Sequence, residues 1–203
     1  RSVDPAGEEL PSRSFFVCIE GPDKCGKTTQ AYLLVDALCR LGLRASYTTE
    51  PSRGEIGRLI RRHVLRRRKR IPAVMEAVLF ALDRFDHSER EIKPMLEKKT
   101  VVVSDRYIYS SLAYQGAAGL DLGWIMQINR FSLEPDLAIY IDVPFEVLAS
   151  RMRDNRSVME DFQTQREVQS VYSKLVRRGM LLSVDGNRPI QEVSKTILDL
   201  VLQ

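Results

Sequence analysis

The sequence has few cysteines, a single tryptophan and no apolar stretch approaching the roughly 20 residues that a membrane-spanning helix needs. Its cysteines, Cys18, Cys25 and Cys39, are odd in number and are not spaced like metal ligands. A secreted disulfide framework would use paired cysteines, so none is expected. We therefore predict a protein that does not span a membrane and that works in a reducing cytoplasm.

Acidic residues are missing from one segment, residues 58–70, which holds eight arginines and lysines. The formal net charge of the chain is +4, so the other residues together carry a net negative charge. A basic segment of this kind could bind a nucleic acid, or it could form the positive rim of a site for small phosphorylated molecules. We favour the positive rim and do not expect nucleic-acid binding.

The chain length of 203 residues suits one domain with a full hydrophobic core. Residues 1–13 contain prolines, a glycine and several charges without periodicity, which predicts a flexible tail before a single domain over residues 14–203. Three acids in this tail, Asp4, Glu8 and Glu9, count against an organelle transit peptide.

Short apolar runs rich in β-branched and aromatic residues alternate with stretches of helical spacing. The runs predict buried strands at residues 15–19, 43–48, 101–103, 137–141 and 181–184. Helices are predicted from residue 28, near 55, after 72, at 108–116, 122–131, 145–153 and 160–178, and from 190. This alternation is typical of an α/β fold, a five-stranded parallel sheet with helices on both faces, in which ligands bind at the carboxyl ends of the strands.

A glycine-rich loop joins the first predicted strand to the first predicted helix. It has the spacing G-x-x-x-x-G-K-[ST] of a phosphate-binding P-loop, in the strand–loop–helix context that the motif requires. The glycines let backbone N–H groups point at phosphate oxygens, and the helix N-terminus adds the positive end of its dipole. The predicted ATP-binding residues of this segment are Gly21, Pro22, Asp23, Lys24, Cys25, Gly26, Lys27, Thr28 and Thr29.

Charged and hydroxyl side chains near the loop predict the chemistry. Lys27 is expected to neutralise the β- and γ-phosphates, and the Thr28 hydroxyl is expected to bind Mg²⁺ with Asp105, which follows the third predicted strand. The Asn-Lys-x-Asp segment that reads guanine in GTPase switches is missing from the sequence. A phosphotransferase is therefore favoured, but the residues alone leave the acceptor open, since Arg84 or Arg106 could clamp a second phosphate.

From residue 15 to about residue 200 the chain resembles the thymidylate kinase family of P-loop nucleoside-monophosphate kinases. The resemblance is carried by the P-loop with Asp23, by Thr49-Glu50-Pro51 with Arg53, by Leu79-Phe80-Ala81-Leu82-Asp83-Arg84, and by Asp105-Arg106-Tyr107 followed by Ser110-Ser111 and Ala113-Tyr114-Gln115. It implies the fold of those kinases, ATP as phosphoryl donor, dTMP as acceptor and Mg²⁺ as cofactor. It also implies a homodimer formed through helices beside the acceptor site.

The resemblance further implies roles for single residues at the acceptor site. Phe80 stacks on thymine, Arg84 and Arg106 hold the 5′-phosphate, and Asp23 meets the sugar 3′-hydroxyl. From its spacing alone Phe80 is better explained as a core residue, but Arg84 one turn away on the same face favours the base. The other implied substrate-binding residues are Pro51 and Arg53 beside the acceptor, Ser111 and Gln115 at the base edge, and Tyr114 beside the sugar.

Two features depart from the family pattern. Many members carry a catalytic arginine in the P-loop or in a mobile lid, whereas this loop has Lys24, which keeps the charge but lacks the bidentate fork. The lid, predicted at residues 151–160, is short, and we expect Arg153 or Arg156 to close over ATP. The predicted catalytic residues are therefore Lys24, Lys27, Arg106, Arg153 and Arg156.

The expected reaction is ATP + dTMP → ADP + dTDP. Near the C-terminus, Asn187 and Arg188 lie in a segment that resembles the family's adenine-packing loop. A kinase for another deoxynucleoside or deoxynucleoside monophosphate is an alternative. Thymine differs from uracil by one methyl group, which contributes only about 1–3 kcal/mol of binding free energy in an apolar pocket. The alternative from a different class is a nucleic-acid-binding P-loop protein that uses residues 58–70.

Overall fold

The computed structural model of the protein describes residues 14–66, 70–151 and 162–203. The predicted tail at 1–13 and the lid arginines Arg153 and Arg156 lie outside the described residues. Five strands pair in parallel within the described part of the chain, in the order β2-β3-β1-β4-β5. They are β1 (Phe15–Glu20), β2 (Ala45–Thr49), β3 (Val101–Asp105), β4 (Leu137–Asp142) and β5 (Leu182–Asp185).

The helices that connect the strands cover both faces of the sheet, as the alternating pattern predicts. They are α1 (Lys27–Arg40), α2 (Glu55–Ile60), α3 (Ala73–His87), α4 (Lys93–Glu97), α5 (Ile108–Ala117), α6 (Leu122–Ile128), α7 (Phe145–Arg151), α8 (Phe162–Arg177) and α9 (Ile190–Leu202). Successive residues of β1 point to opposite faces. Phe16 therefore packs with α5, α6 and α8, and Val17 packs with α1, α7 and α9. The predicted fold class is confirmed.

Two helices end in turns that the sequence did not predict. A π-helical turn at Arg61–Leu65 continues α2, and another at Ser88–Ile92 joins α3 to the short helix α4. Apolar spacing does not distinguish i→i+4 from i→i+5 hydrogen bonding, so these turns have no sequence signal. The end of α1, in contrast, is as predicted: Gly42 has φ +81° and reverses the chain after Arg40.

Helix α3 has its polar side inward. Apolar residues that recur at helical spacing on α3 face outward: Val78 is 48%, Leu82 50% and Phe85 43% exposed. Polar residues of the same helix, including Asp83 and Arg84, are about 1% exposed. The helix prediction is correct, but an amphipathic pattern does not say which face meets the protein interior when buried polar groups have partners.

Candidate active site

The P-loop connects the end of β1 to the start of α1, at the carboxyl edge of the sheet. Gly21 has φ +149° and Gly26 has φ +100°. A Cβ at Gly21 would also lie 2.7 Å from the neighbouring cysteine sulfur of the loop, so the position requires glycine. Lys27 Nζ donates to the Pro22 carbonyl at 2.6 Å. The predicted strand–loop–helix arrangement is present, with the lysine folded over the loop.

An open cavity of 440 Å³, the P-loop cavity, lies in front of this loop. Its lining brings together predicted residues from distant parts of the chain, namely Lys24, Gly26, Lys27, Thr28, Thr29 and Asp105. Arg151, the last residue of α7, also lines it, and its Nη1 donates to the Lys24 carbonyl at 3.1 Å. Arg151 is the first residue of the predicted lid. This segment therefore contributes one arginine to the lining of the P-loop cavity.

One corner of the P-loop cavity has the groups that a magnesium ion uses. Thr28 Oγ1 donates to Asp105 Oδ2 at 2.5 Å, across the gap between α1 and β3. Asp105 Oδ1 is buried and has no hydrogen-bond partner among the described residues. Those residues also contain no cluster of three or more His, Cys, Asp or Glu side chains suited to a metal. One carboxylate and one hydroxyl fit Mg²⁺, which keeps several waters and binds phosphates as its other ligands.

A second cavity of 380 Å³, the Phe80 cavity, adjoins the first. Its lining includes most of the predicted substrate-binding residues, namely Pro51, Phe80, Arg84, Ser111, Tyr114 and Gln115. Asp23 and Arg106 line both cavities. The two cavities therefore meet at this pair of charged side chains.

Asp23 and Arg106 form an ion pair at the junction. The guanidinium of Arg106 also donates from Nη1 to Ser110 Oγ at 3.0 Å, and it lies 5.1 Å from the centre of the Tyr114 ring. Burial by itself lowers the pKa of Arg106, but Tyr114, Asp23 and other neighbouring acids outweigh burial and raise it. Arg106 is therefore a fixed positive charge between the two cavities.

A buried carboxylate at the end of β1 fixes the turn that carries Arg106. Glu20 accepts from the backbone N–H of Tyr107 at 2.7 Å, from Ser110 Oγ at 2.6 Å and from the Tyr172 hydroxyl at 2.9 Å. Burial raises the pKa of Glu20, although these donors counteract it. The bonds hold Arg106 in its left-handed conformation, with φ +73°. Sequence reasoning missed Glu20 because it looks like the last residue of an apolar strand.

Gln165 on α8 is a further residue that the sequence did not point to. Its Nε2 donates to Asp23 Oδ2 at 3.0 Å, and its Oε1 accepts from the Asp23 backbone N–H at 3.1 Å. One amide therefore orients the acid of the P-loop from a helix 142 positions away in sequence. No local motif indicates such a contact.

Arg84 has surroundings that differ from those expected for a phosphate ligand. Its side chain is 1% exposed and forms an ion pair with Glu50 at 2.6 Å. Its Nη1 donates to Asn129 Oδ1 at 2.6 Å, and its Nη2 donates to Ser111 Oγ and to the Tyr107 carbonyl, both at 3.1 Å. Glu50 therefore balances the charge of Arg84, which lines the Phe80 cavity. The implied role of Arg84 at the 5′-phosphate stays a prediction.

An arginine of the π-helical turn after α2, and not Arg53 of the loop after β2, lines the Phe80 cavity. Arg53 is exposed and is not among the described residues that line the cavity. Arg61, from the basic segment 58–70, lines it instead and donates to the carbonyls of Pro51 and Ser52. Arg66 of the same segment is also in the lining. These positions agree with the interpretation of the segment as a positive rim.

The predicted adenine loop lies beyond β5. Arg188 is exposed and pairs with Asp185 at 3.0 Å, and the backbone N–H of Asn187 donates to the same carboxylate. Within the described part of the chain, neither Asn187 nor Arg188 lines either of the two cavities. The start of α9, directly after this loop, is held to α1, because Gln30 Nε2 donates to the Ile190 carbonyl at 3.1 Å.

Comparison with known proteins agrees with the geometry. The family model for thymidylate kinase matches residues 19–197. A probable thymidylate kinase of Pyrococcus abyssi is 43% identical, with 93% of this chain and 96% of the relative covered. Those of Caldivirga maquilingensis and Methanococcus aeolicus are 38% and 37% identical, with 92% and 90% of this chain and 92% and 93% of the relatives covered. Among the described residues no helix has the length and apolarity to cross a membrane.

Proposed function

The chain belongs to the thymidylate kinase family, and from this membership we propose that it transfers the γ-phosphoryl group of ATP to dTMP, forming ADP and dTDP. One observation carries the proposal: two cavities, one at a P-loop and one beside an aromatic side chain, meet at Asp23 and Arg106. A phosphoryl transfer between two nucleotides needs such adjoining sites, because their phosphates must approach closely.

The P-loop cavity receives the triphosphate of ATP. Backbone N–H groups of residues 24–28 would surround the β-phosphate, and Lys27 would exchange the Pro22 carbonyl for phosphate oxygens. Thr28 and Asp105 would hold Mg²⁺, which neutralises charge on the β- and γ-phosphates when it is bound. Lys24 and Arg151 also line this cavity, and both are exposed. In the proposed reaction they would neutralise charge on the transferring group. A contribution of Arg153 or Arg156, and adenine packing by Asn187 and Arg188, stay predictions.

The Phe80 cavity receives dTMP. Phe80, which lines the cavity, would stack on the base, with Ser111 and Gln115 at the base edge. Arg106 binds the 5′-phosphate at the junction, where it faces the ATP site. Asp23 lies beside the sugar with Tyr114, and Arg84 supports the cavity floor.

The side chains act by placing and neutralising two anions. A monophosphate oxygen is already a nucleophile near neutral pH, so no general base is required. Arg106 offsets the repulsion between the acceptor phosphate and the γ-phosphate, and Lys27 offsets the charge of the transferring group. Closure of the predicted lid over ATP would exclude water and suppress ATP hydrolysis.

A substrate panel tests the proposal. ADP release is measured with dTMP, dUMP, dCMP, dGMP and thymidine as acceptors, at saturating ATP and Mg²⁺. We expect dTMP to give the highest kcat/KM. Phosphorylation of thymidine without phosphorylation of dTMP would identify a nucleoside kinase and would contradict the position of Arg106 at an acceptor phosphate.

Asp105→Asn is expected to raise the Mg²⁺ concentration for half-maximal activity by about 10- to 100-fold. The substitution keeps the size of the side chain but removes the negative charge beside Thr28. Initial rates are measured against free Mg²⁺ at fixed ATP. The exposed Asp36→Asn on α1 is the control and should leave the Mg²⁺ dependence unchanged. An identical Mg²⁺ curve for Asp105→Asn would exclude a metal role for this carboxylate.

We further propose that two copies of the chain pair through α3. Val74, Val78, Leu82 and Phe85 follow helical spacing on one face, and each of them is between 43% and 51% exposed. A contiguous apolar helix face of this kind is typical of a protein–protein interface. Polar residues on the opposite side of α3 line or support the Phe80 cavity. The interface would therefore stabilise the helix that carries the acceptor site.

Leu82→Glu is expected to convert a dimer to a monomer, because it places a charge at the centre of the apolar face. Sedimentation velocity at micromolar concentration measures the change. Leu202→Glu on α9 is the matched control, since Leu202 is 48% exposed and Leu82 is 50% exposed. A wild-type protein that sediments as a monomer, or a Leu82→Glu variant that stays dimeric, would contradict the interface.

A further inference from the structure

A chain of polar side chains leads from the end of the basic segment to the Phe80 cavity. Arg70 donates from Nε to Glu76 Oε2 at 2.9 Å and from Nη2 to Oε1 at 2.6 Å. Glu76, in the first turn of α3, is fully buried and accepts a third bond from Gln115 Nε2 at 2.6 Å. Gln115 lies on α5 and lines the cavity. We call these three residues the Arg70–Glu76–Gln115 relay.

The chemistry of Glu76 decides which end of the Gln115 amide is available to a ligand. A carboxylate only accepts hydrogen bonds, so the amide must turn its NH₂ end toward Glu76. Arg70 supplies the opposite charge that a buried carboxylate needs, in a bidentate geometry. The other end of the amide, Gln115 Oε1, is buried and has no hydrogen-bond partner among the described residues. Such an acceptor is unfavourable until a donor reaches it.

We propose that Glu76, held by Arg70, is a positioning residue that sets base selectivity. It binds the NH₂ group of the Gln115 amide, so that only the amide oxygen, an acceptor, remains to bind the base. Thymine and uracil carry an N–H group at ring position 3, which matches this oxygen. Cytosine carries a lone pair at the same position, so two acceptors would face each other. The inference rests on the proposed function, in which the Phe80 cavity holds the base of the acceptor nucleotide.

Glu76→Gln tests the inference, because a glutamine of the same length can present either end of its own amide to Gln115. The Gln115 amide is then free to turn and to offer a donor to cytosine. Values of kcat/KM are measured for dTMP, dUMP and dCMP at saturating ATP and Mg²⁺. The ratio of kcat/KM for dCMP to that for dTMP is expected to rise about tenfold or more, with an unchanged KM for ATP.

A double-mutant cycle separates orientation from general damage. In a Gln115→Leu background no amide remains to be turned, so Glu76→Gln should no longer change the dCMP to dTMP ratio. Arg70→Lys keeps the positive charge beside Glu76 and is expected to preserve the ratio. Arg62→Gln is the control for charge, since Arg62 is an exposed member of the same basic segment. It should leave the ratio as in the wild type.

A parallel fall of activity on dTMP and dCMP in Glu76→Gln, at a constant ratio, would reduce Glu76 to a structural role and overturn the inference. If Glu76→Gln fails to fold, Gln115→Leu decides: a ratio unchanged by loss of the amide would show that its orientation selects nothing. A wild-type protein inactive on all three nucleotides would overturn the proposed function as well. An active wild type with an unaffected ratio in the variants would overturn the relay alone.

Discussion

Arg106→Ala is expected to lower kcat/KM for dTMP by about a thousandfold while ATP binding in the absence of dTMP changes far less. Arg106 lies where the P-loop cavity and the Phe80 cavity meet, with 18% of its side chain exposed. Its loss would remove the side chain that we propose as the ligand of the acceptor phosphate, and would leave Asp23 without this ion pair. The measurements are initial rates against dTMP and calorimetric binding of ATP.

Two further variants show whether the Arg106 effect is specific. Arg106→Lys keeps the charge but loses the fork, so its kcat/KM should fall between those of the wild type and Arg106→Ala. Arg44→Ala removes an exposed arginine whose Nη1 donates to the Lys98 carbonyl at 3.4 Å, and should behave as the wild type. Equal loss of ATP binding and dTMP turnover in Arg106→Ala would indicate collapse of the P-loop.

Arg84→Ala is expected to lower the free energy of unfolding by about 3–5 kcal/mol, because it breaks a buried ion pair and leaves the Glu50 carboxylate with His87, 3.2 Å away, in place of a permanent positive charge. The pair is almost fully enclosed, with side chains 1% and 3% exposed. Urea denaturation measures the stability. At temperatures where the variant is folded, we also expect use of dTMP to weaken far more than ATP binding, since Arg84 and Ser111 together form the floor of the Phe80 cavity.

The matched comparison for Arg84 is an ion pair at the surface. Arg40 and Asp36 lie 2.7 Å apart on α1 with side chains 79% and 54% exposed. Arg40→Ala should change the free energy of unfolding by less than about 1 kcal/mol, because water solvates both charges after the pair is broken. A similar small change for Arg84→Ala would mean that His87 is enough to stabilise the buried Glu50 carboxylate. Equal losses of dTMP use and ATP binding would mean that Arg84 is purely structural.

The sheet and the P-loop could be predicted from the sequence because their signals are local. The apolar runs at residues 101–103 and 137–141 predict buried strands from residue type alone. The spacing of residues 21–28 likewise predicts a phosphate-binding loop without further context from the fold. Gly21 and Gly26 both have positive φ angles, and glycine adopts such backbone conformations more readily than other residues. Their residue type therefore already indicates the turn of the backbone.

The contacts of the acceptor site could not be predicted in the same way. Arg53 and Arg61 are both arginines near the loop after β2, and only the π-helical turn and the packing of α2 bring Arg61 rather than Arg53 to the cavity. Glu20 and Gln165 act through neighbours that are 87 and 142 positions away. Pairings over such separations depend on how the helices pack on the sheet.

The sequence by itself determined the fold class, the phosphate loop, the residues that carry the family resemblance and the basic character of the rim. These depend on residue type, spacing and local backbone preference. Only the tertiary structure decided that Asp23 and Arg106 join two cavities, that Arg84 is neutralised by Glu50, and which side of α3 faces outward. The physical reason is that a buried charge or amide takes its role from the partner it meets. For Arg84 and Gln115, that partner is set by the packing of separate elements.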